Sequence, residues 1–597
     1  MRQLKFLSVL SFAALAFSSA AAAVDPASDF NRLLNDYRAT EQKLPRDPEL
    51  TRESDGSEIY NQKGALAAIE LRRHITQDTL SRLEKIDPAD MRPQDKLSYQ
   101  IFHWALEDEQ RELAPDIAEL PDLLPLNQFD GRQINLPRQI GWQADHPWTR
   151  AREYDGAIRR MLDFGQWTDG AIARMREGLK RGIVQSREIV NRVIGQVDMF
   201  AVADPDSSDF MQPVKSMPPE ISGKERSRIE SAYHAGVADE LIPAYRRLSV
   251  FLKTEYLPHA TEQPGLSAIP GGKELYRYLV HTETTSDLSP DAIHDLGMKE
   301  LRRIESGMEK AKEDAGFHGS LTQFRQYLHS DPKFRFKDPG AMLAEFTRVK
   351  NTVATHLPDL FATAPKIPLA FRFYDAFAAP TKPAAEYTPG SVDGRRPGTV
   401  YLNDWDLPER PTYTSEVLEL HEGIPGHHLQ VSLALQNTAL PRFRRFGEET
   451  AFVEGWALYA ETLGPELGLY TDPYQKFGAL SFDAWRASRL VVDTGIHWLG
   501  WSREQAVDFI TDHTALSRTE AEEEVDRYTV LPGQALAYKI GELEILDLRT
   551  RAKLALGPVF DLKRFHDALL RDGAMPLPVL DQKMSRWIDL EKNAWSG

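Results

Sequence analysis

Two histidines and a glutamate stand within seven positions at His421, Glu422 and His427, with His428 directly after. In the H-E-x-x-H pattern, histidines at i and i+4 share one helical face and hold a zinc ion, while the glutamate activates water. Here the interval is wider, because His421 and His427 are six positions apart. At about 100° per residue, six positions carry the second imidazole far from the first on an unbroken helix. Pro425 and Gly426 fall inside the interval. Proline bends a helix and glycine permits unusual dihedrals, so the turn can bulge and return a later histidine to the metal. His427 needs the smaller bulge and is preferred, with His428 as the alternative.

A third ligand is expected on a nearby helix. The stretch AFVEGWALYAETL over 451–463 reads as helix, with Gly464 as its stop. Glu454 lies in an otherwise apolar run between Val453 and Trp456. A carboxylate buried there needs a strong partner, and a zinc ion is one. Glu461 shares its face and is the lesser candidate, placed outside the ligand set. Two histidines and one carboxylate leave a fourth coordination position open, the mark of a catalytic rather than a structural zinc site. Glu422, next to a ligand, is then the expected general base.

The elements that must hold these residues read as mainly α-helical. Ser289-Pro290-Asp291 is a helix start, and Leu301, Ile304, Met308 and Ala311 recur on one helical face. Similar periodicity runs through 64–86, 151–200 and 224–254. Proline and glycine mark loops at 114–148, 256–273 and 379–398. The run Gly398 to Asn403 is β-type, bounded by turn residues, and predicts a strand of a small sheet just before the metal helix. A division near residue 290 separates an N-terminal helical region, 24–290, from a C-terminal region, 291–597, that carries the chemistry.

Composition narrows the setting. The chain has 597 residues and a formal net charge of −17, with no basic excess of the kind that nucleic-acid phosphates require. Residues 1–23 combine Arg2 and Lys5, an apolar run from Phe6 to Phe17 and Ala21-Ala22-Ala23. That is the layout of a secretory signal peptide cleaved near Ala23, and the apolar run is too short to span a bilayer. A periplasmic or secreted location without a membrane anchor follows as the expectation. There is no cysteine. The expected metal site is therefore restricted to histidine and carboxylate ligands, and cysteine lipidation and disulfides are ruled out.

With these residues in place, the chain resembles a large bacterial family still filed as a domain of unknown function, whose members carry HExxPGHHLQ, EGWALYxExL, RAxRLVVDTGxH and PGQALxYKxG. The sequence here has HEGIPGHHLQ at 421–430, EGWALYAETL at 454–463, RASRLVVDTGIH at 486–497 and PGQALAYKIG at 532–541. That family is similar to the glutamate-zincin peptidases, among them carboxypeptidase Taq, angiotensin-converting enzyme and dipeptidyl peptidase III. The resemblance implies a mainly helical fold with a deep cleft between two lobes.

The same resemblance suggests further roles. Tyr538, in Tyr538-Lys539-Ile540-Gly541, is similar to the tyrosine that stabilises the oxyanion in carboxypeptidase Taq, with Tyr528 as second candidate. Arg527 and Lys539 are candidates for holding a substrate carboxylate, for which arginine suits as a planar bidentate donor. Arg486, Arg489, Asp493 and His497 form a polar stripe at helical spacing, either supporting the ligands or contacting substrate, with Arg489 and Asp493 able to pair across one turn. The strand carrying Tyr401 is expected to pair with a substrate backbone as an edge strand. The function expected is an exported zinc peptidase acting on short peptides in a closed cleft, carboxypeptidase- or dipeptidase-like. A zinc esterase or amidase on a non-peptide substrate and a noncatalytic periplasmic peptide-binding protein are the alternatives.

Overall fold

Ser289 accepts a hydrogen bond from the amide of Ala292 at 3.2 Å and caps helix α1, Pro290–Asp314. Its Leu301, Ile304, Met308 and Ala311 are all buried, so the face read from their spacing is the face that packs. The computed structural model describes residues 25–41, 44, 50–52, 58–60, 62–129, 131–140, 148–376 and 379–596. The expected signal peptide, 1–23, and its cleavage point near Ala23 lie outside them.

The fold is mainly α-helical with a small sheet beside the His-Glu helix. The periodic run at 151–200 is two helices, Ala151–Arg181 and Arg187–Phe200, separated where Gly182 takes φ 69° and Ser186 caps the second. The stretch 114–148 is less of a loop than its prolines suggested. It holds the short helices Pro115–Leu123 and Arg132–Gln139, with proline inside each.

Apolar side chains gather into separate cores. One takes residues 126–260, including Phe164, Trp167, Val193, Tyr233 and Tyr245. Another takes Leu97 and Ile101 from the helix Pro93–Glu112 together with residues between 276 and 588, among them Leu420, Leu429, Phe452, Trp456 and Leu536. The candidate site belongs to this second core.

Two short strands, β1 (Leu50–Arg52) and β2 (Glu58–Tyr60), pair antiparallel near the N-terminus. The sheet beside the site contains β3 (Leu369–Phe373), β4 (Ala385–Thr388) and β5 (Gly398–Leu402), in the order β3-β5-β4. β5 runs parallel to β3 and antiparallel to β4. Val400 and Leu402 of β5 pack on Met342 and Phe346. The strand read at 398–403 is thus present, but it is the central strand. Its backbone groups are engaged on both sides, so it is not an edge strand; the edges are β3 and β4, the latter inside the stretch read as a loop. Tyr401 stacks on Tyr374 with ring centroids 5.5 Å apart.

The remaining helices around the site are α2 (Ser415–Glu422), α3 (His427–Gln436), α4 (Thr450–Glu461), α5 (Pro473–Thr494), α6 (Arg518–Val530) and α7 (Ala537–Leu556). A Ser517–Glu520 capping box starts α6. Among the described residues, no helix is long and apolar enough to cross a membrane.

Candidate metal centre

The wide spacing of the histidines is solved by a break rather than a bulge. α2 stops at Glu422, the chain passes through Gly423, Ile424, a cis Pro425 and Gly426, and α3 begins at His427. The His428 amide donates to the Gly423 carbonyl at 3.1 Å, which closes the turn. The chain folds back so tightly that a Cβ on Gly426 would lie 1.9 Å from the His421 carbonyl oxygen. Only glycine fits at such an approach. Trp456 of α4 donates from Nε1 to the Pro425 carbonyl at 2.8 Å and pins the turn against the helix that carries Glu454.

This arrangement brings His421, His427 and Glu454 together, with one candidate ligand atom from each lying within 4.8 Å of the others. Glu454 Oε2 is 3.6 Å from His421 Nε2 and 3.5 Å from His427 Nε2. The two imidazoles stand nearly perpendicular, at 85°. Glu454 Oε2 is buried and has no hydrogen-bond partner, an arrangement that costs free energy unless something fills the gap. Donors bonded at about 2.1 Å to one tetrahedral ion stand about 3.4 Å apart, close to both carboxylate–imidazole distances. The residues therefore fit a small cation, and the N, N, O donor set with an open position fits zinc. In its absence burial opposes charge on His421, but the carboxylates of Glu454 and Glu461 outweigh it and hold the imidazole up at about 9. Glu454 is held well below the usual carboxylate range, burial being overcome by His427 and His421.

His421 is gripped from behind as well. Its Nδ1 lies 2.8 Å from Glu461 Oε1, a buried contact that fixes the ring and leaves Nε2 facing Glu454. Glu461 Oε1 is also 3.9 Å from an Nη atom of Arg486. Glu461, on the same face as Glu454, thus bridges His421 and Arg486.

Glu422 closes α2 with a buried carboxylate. Its Oε2 accepts from the Tyr387 amide of β4 at 2.8 Å, while Oε1 accepts no hydrogen bond from any described residue. Burial pushes its pKa up, against the pull of His421 and His427. His428 turns away from the triad. Its Nε2 lies 3.0 Å from the Ile367 carbonyl and its Nδ1 3.1 Å from the Tyr387 hydroxyl, so it steadies the strand that holds Glu422. Nothing in the sequence spacing pointed to Tyr387.

Tyr538 reaches the site through a close helix crossing. A Cβ on Gly541 of α7 would lie 1.8 Å from the Ala451 carbonyl of α4, and one on Gly455 would lie 2.4 Å from the Gly541 carbonyl carbon. The two glycines let the backbones touch, which sets Tyr538, one turn before Gly541, beside Glu454, one position before Gly455. The phenol feels that proximity: burial first, then the Glu454 charge, raises its pKa. Its hydroxyl accepts a long 3.5 Å hydrogen bond from Gln534 Nε2, and no described group accepts its proton.

The other expected substrate residues are placed differently. Lys539 is fully buried and bonded to Asp483 at 2.5 Å and Glu542 at 2.7 Å, so its ammonium holds α5 and α7 together and does not face the triad. Tyr528 is also fully buried. Its hydroxyl accepts from Arg489 Nε at 3.0 Å and Trp485 Nε1 at 3.2 Å and donates to Glu524 at 2.6 Å. Arg527 pairs with Glu524 at 3.1 Å and Gln534 at 2.8 Å, close enough to Tyr538 for the two to interact electrically. Tyr401 is tied into the sheet.

The stripe on α5 splits. Arg489 pairs with Glu524 rather than with Asp493, and Asp493 instead accepts from the Tyr276 hydroxyl at 2.6 Å and the Gly533 amide at 3.1 Å. His497 Nδ1 accepts from the Leu266 amide at 3.2 Å, which leaves Nε2 to donate to the Tyr528 carbonyl at 3.0 Å. These last two residues are structural.

Comparison with known proteins gives a family but no activity. Residues 55–584 match a family described as "Bacterial protein of unknown function (DUF885)". No curated protein matches. The fold is similar to the crystal structure of "the putative lipoprotein from Colwellia psychrerythraea", at a TM-score of 0.77 and 26% identity over 95% of this chain and 99% of that one. It is similar also to "a putative lipoprotein of unknown function from Shewanella oneidensis", at a TM-score of 0.69 and 18% identity over 94% of this chain and 100% of that one, a likeness of fold alone.

Proposed function

The chain belongs to the bacterial family of unknown function DUF885, and within that frame we propose that it is an exported zinc-dependent peptidase acting on short peptides, carboxypeptidase- or dipeptidase-like. The observation that carries the reading is the unpartnered, buried Glu454 Oε2 facing two imidazole nitrogens, with the Glu422 carboxylate next in the chain to one of them. A structural or purely peptide-holding site has no need of a buried carboxylate beside the ligands. The motif likeness to glutamate-zincin peptidases supports the same conclusion. Export is supported by the leader-like residues 1–23 and by the lipoprotein title of the neighbour that is 26% identical.

His421, His427 and Glu454 would hold the zinc, which when bound supplies Lewis acidity toward a carbonyl and toward water. The rest is done by the chain. The Tyr387 amide holds one oxygen of Glu422 in place, and the free Oε1 accepts a proton from the attacking water and passes it to the leaving amine. Burial raises the basicity of that carboxylate, the direction a proton acceptor needs. Tyr538 donates its unclaimed phenolic proton to the oxygen on which negative charge develops. β4, an edge strand, presents backbone groups on the side of Glu422 for an extended peptide.

The test combines metal analysis with two variants. Purified without chelator, the protein should carry about one zinc per chain, the number a His2Glu site takes, and His421→Ala should lose it. Glu422→Gln should keep the zinc and lose hydrolysis of a short-peptide library. Metal-free wild-type protein that cannot be reloaded, or hydrolysis undiminished in Glu422→Gln, would overturn the reading.

A further inference from the structure

Beside the triad lies a cluster of three guanidiniums, two of which keep buried N–H donors without a hydrogen-bond partner. Arg486 and Arg489, one turn apart on α5, both stack on Trp485, with guanidinium carbons 4.3 and 4.5 Å from the ring centroid. Arg486 also covers Phe482 at 4.6 Å, and Arg489 covers the Tyr538 ring at 4.4 Å. Arg527 comes in from α6, and its charge too is felt by Tyr538. Arg489 thus covers the phenol, and Arg486 and Arg527 lie near enough to interact with it electrically.

The carboxylates that face them are already engaged. Glu524 Oε2 serves Arg489 at 3.2 Å, Arg527 at 3.1 Å and the Tyr528 hydroxyl at 2.6 Å. Glu461 stands 3.9 Å from Arg486, beyond hydrogen-bond reach, and its nearer oxygen is held by His421. Arg486 makes no hydrogen bond to any described residue. Its Nε and Nη1 are buried and unpartnered, as is Nη1 of Arg489. Arg486 is only 5% exposed, and burial pulls its pKa down. Aromatic faces offset part of the lost hydration of a guanidinium but do not satisfy its N–H donors. An anion arriving from outside would satisfy these donors and offset the cost of burying the charge.

The position of the cluster says which anion. Arg486 Nη2 and His421 Nδ1 share one atom, Glu461 Oε1, at 3.9 and 2.8 Å. The guanidinium therefore lies one carboxylate away from a candidate metal ligand. The cluster meets the triad on the Tyr538 side, where Arg489 covers the phenol ring at 4.4 Å and the Glu454 charge acts on both Tyr538 and Arg486. A terminal carboxylate follows the scissile carbonyl by one residue, about 3.8 Å along the chain. The planar fork of arginine matches a carboxylate bidentately.

We propose that Arg486, together with Nη1 of Arg489, forms a carboxylate-binding pocket that selects peptides with a free carboxylate one residue beyond the scissile bond. The assignment rests on the peptidase reading and adds its substrate class, with release of a single C-terminal residue. It replaces Lys539, which is occupied elsewhere, and gives Arg527 the lesser part of holding Glu524.

Binding to zinc-loaded Glu422→Gln protein tests it separately from turnover. Calorimetric titration compares N-acetyl-Phe-Ala, its C-terminal amide, and N-acetyl-Phe-Glu amide, in which the only carboxylate is on a side chain. The free acid should bind at least about tenfold more tightly than its amide. Adding Arg486→Gln should shrink that preference to about twofold or less, and Arg486→Lys should restore part of it. Tight binding of N-acetyl-Phe-Glu amide would keep the pocket and assign it to a side-chain carboxylate. Equal binding of acid and amide, binding of no probe, or an acid preference that survives Arg486→Gln overturns the proposal. Circular dichroism and zinc content check folding. Should Arg486→Gln fail them, Arg486→Lys carries the test, and an acid preference undiminished there overturns it. Wild-type protein that hydrolyses no peptide yet keeps the acid preference would sink the peptidase reading and leave the pocket standing.

Discussion

Glu461 and His421 meet through a buried 2.8 Å contact between Oε1 and Nδ1, and Glu461 sits two turns after Glu454 on the same helix. One helix thus addresses both nitrogens of one imidazole, with Glu454 at Nε2 and Glu461 at Nδ1. The Nδ1 contact fixes the ring, and in the proposed zinc site it would raise its basicity as a ligand.

Replacing that support should weaken the metal site without removing a ligand. Glu461→Gln is expected to lower zinc affinity by about 10- to 100-fold. Competition with a fluorescent chelator measures it, and an unchanged affinity would show that the contact does not tune the site.

Gly426→Ala puts a methyl group where 1.9 Å separates the Cβ position from the His421 carbonyl oxygen. The turn between α2 and α3 must open, which moves His427 away from His421. We expect loss of bound zinc together with destabilisation of at least about 2 kcal/mol, the range of overpacked or strained backbone sites. Metal content and thermal unfolding report the two effects, and a variant that retains full zinc would contradict the tight-turn account.

Tyr538→Phe removes a hydroxyl and no metal ligand. If the phenol donates to the developing oxyanion, kcat should fall about 10²- to 10³-fold while zinc content and KM change little. A fall in KM-linked binding alone would reassign Tyr538 to substrate contact.

Lys539 offers the opposite contrast. It is fully buried among Asp483, Glu542 and Glu300, so Lys539→Met leaves carboxylates uncompensated in the core. Breaking such a pair costs about 3–5 kcal/mol. Chemical denaturation should register that loss, while KM for any peptide that is turned over should stay within experimental error.

Asp493 makes stability depend on pH in an unusual direction. Burial, opposed by hydrogen bonds from Tyr276 and Gly533, pushes its pKa up to about 7. An unfolded aspartate titrates near 3.9. Between roughly pH 4 and 7 the native state keeps a proton that the unfolded chain has released, so stability falls as pH rises through that window. Asp493→Asn mimics the protonated form and should flatten the fall. Melting temperatures at pH 5, 6, 7 and 8 for both proteins decide it, and parallel curves would rule out the shift.

The parts of the site that were legible in the sequence are those where residue type alone narrows the role. Histidines with an intervening Pro-Gly, and a glutamate stranded among apolar neighbours, announce a shared partner, and the structure brings His421, His427 and Glu454 together. Lys539 and Tyr528 looked like substrate contacts because a sequence does not show which distant carboxylates face a side chain. Asp483, Glu542 and Glu524 claim them only after α5, α6 and α7 have packed. β5 looked like an edge because β4 hides in a proline-rich stretch and is only four residues long. Gly455 and Gly541 carry no chemistry of their own, so their part in setting Tyr538 beside Glu454 emerges only from the crossing of α4 and α7.

The separation of the cores has a calorimetric consequence. Every candidate metal ligand is attached to the core that spans residues 276–588, and none to the core of residues 126–260. A ligand stabilises only the cooperative unit that binds it, by RT ln(1 + [L]/Kd). Titrating zinc into the apoprotein should therefore raise the unfolding temperature of the unit that contains the 276–588 core, and where a scan resolves the 126–260 core as its own endotherm, that one should stay put.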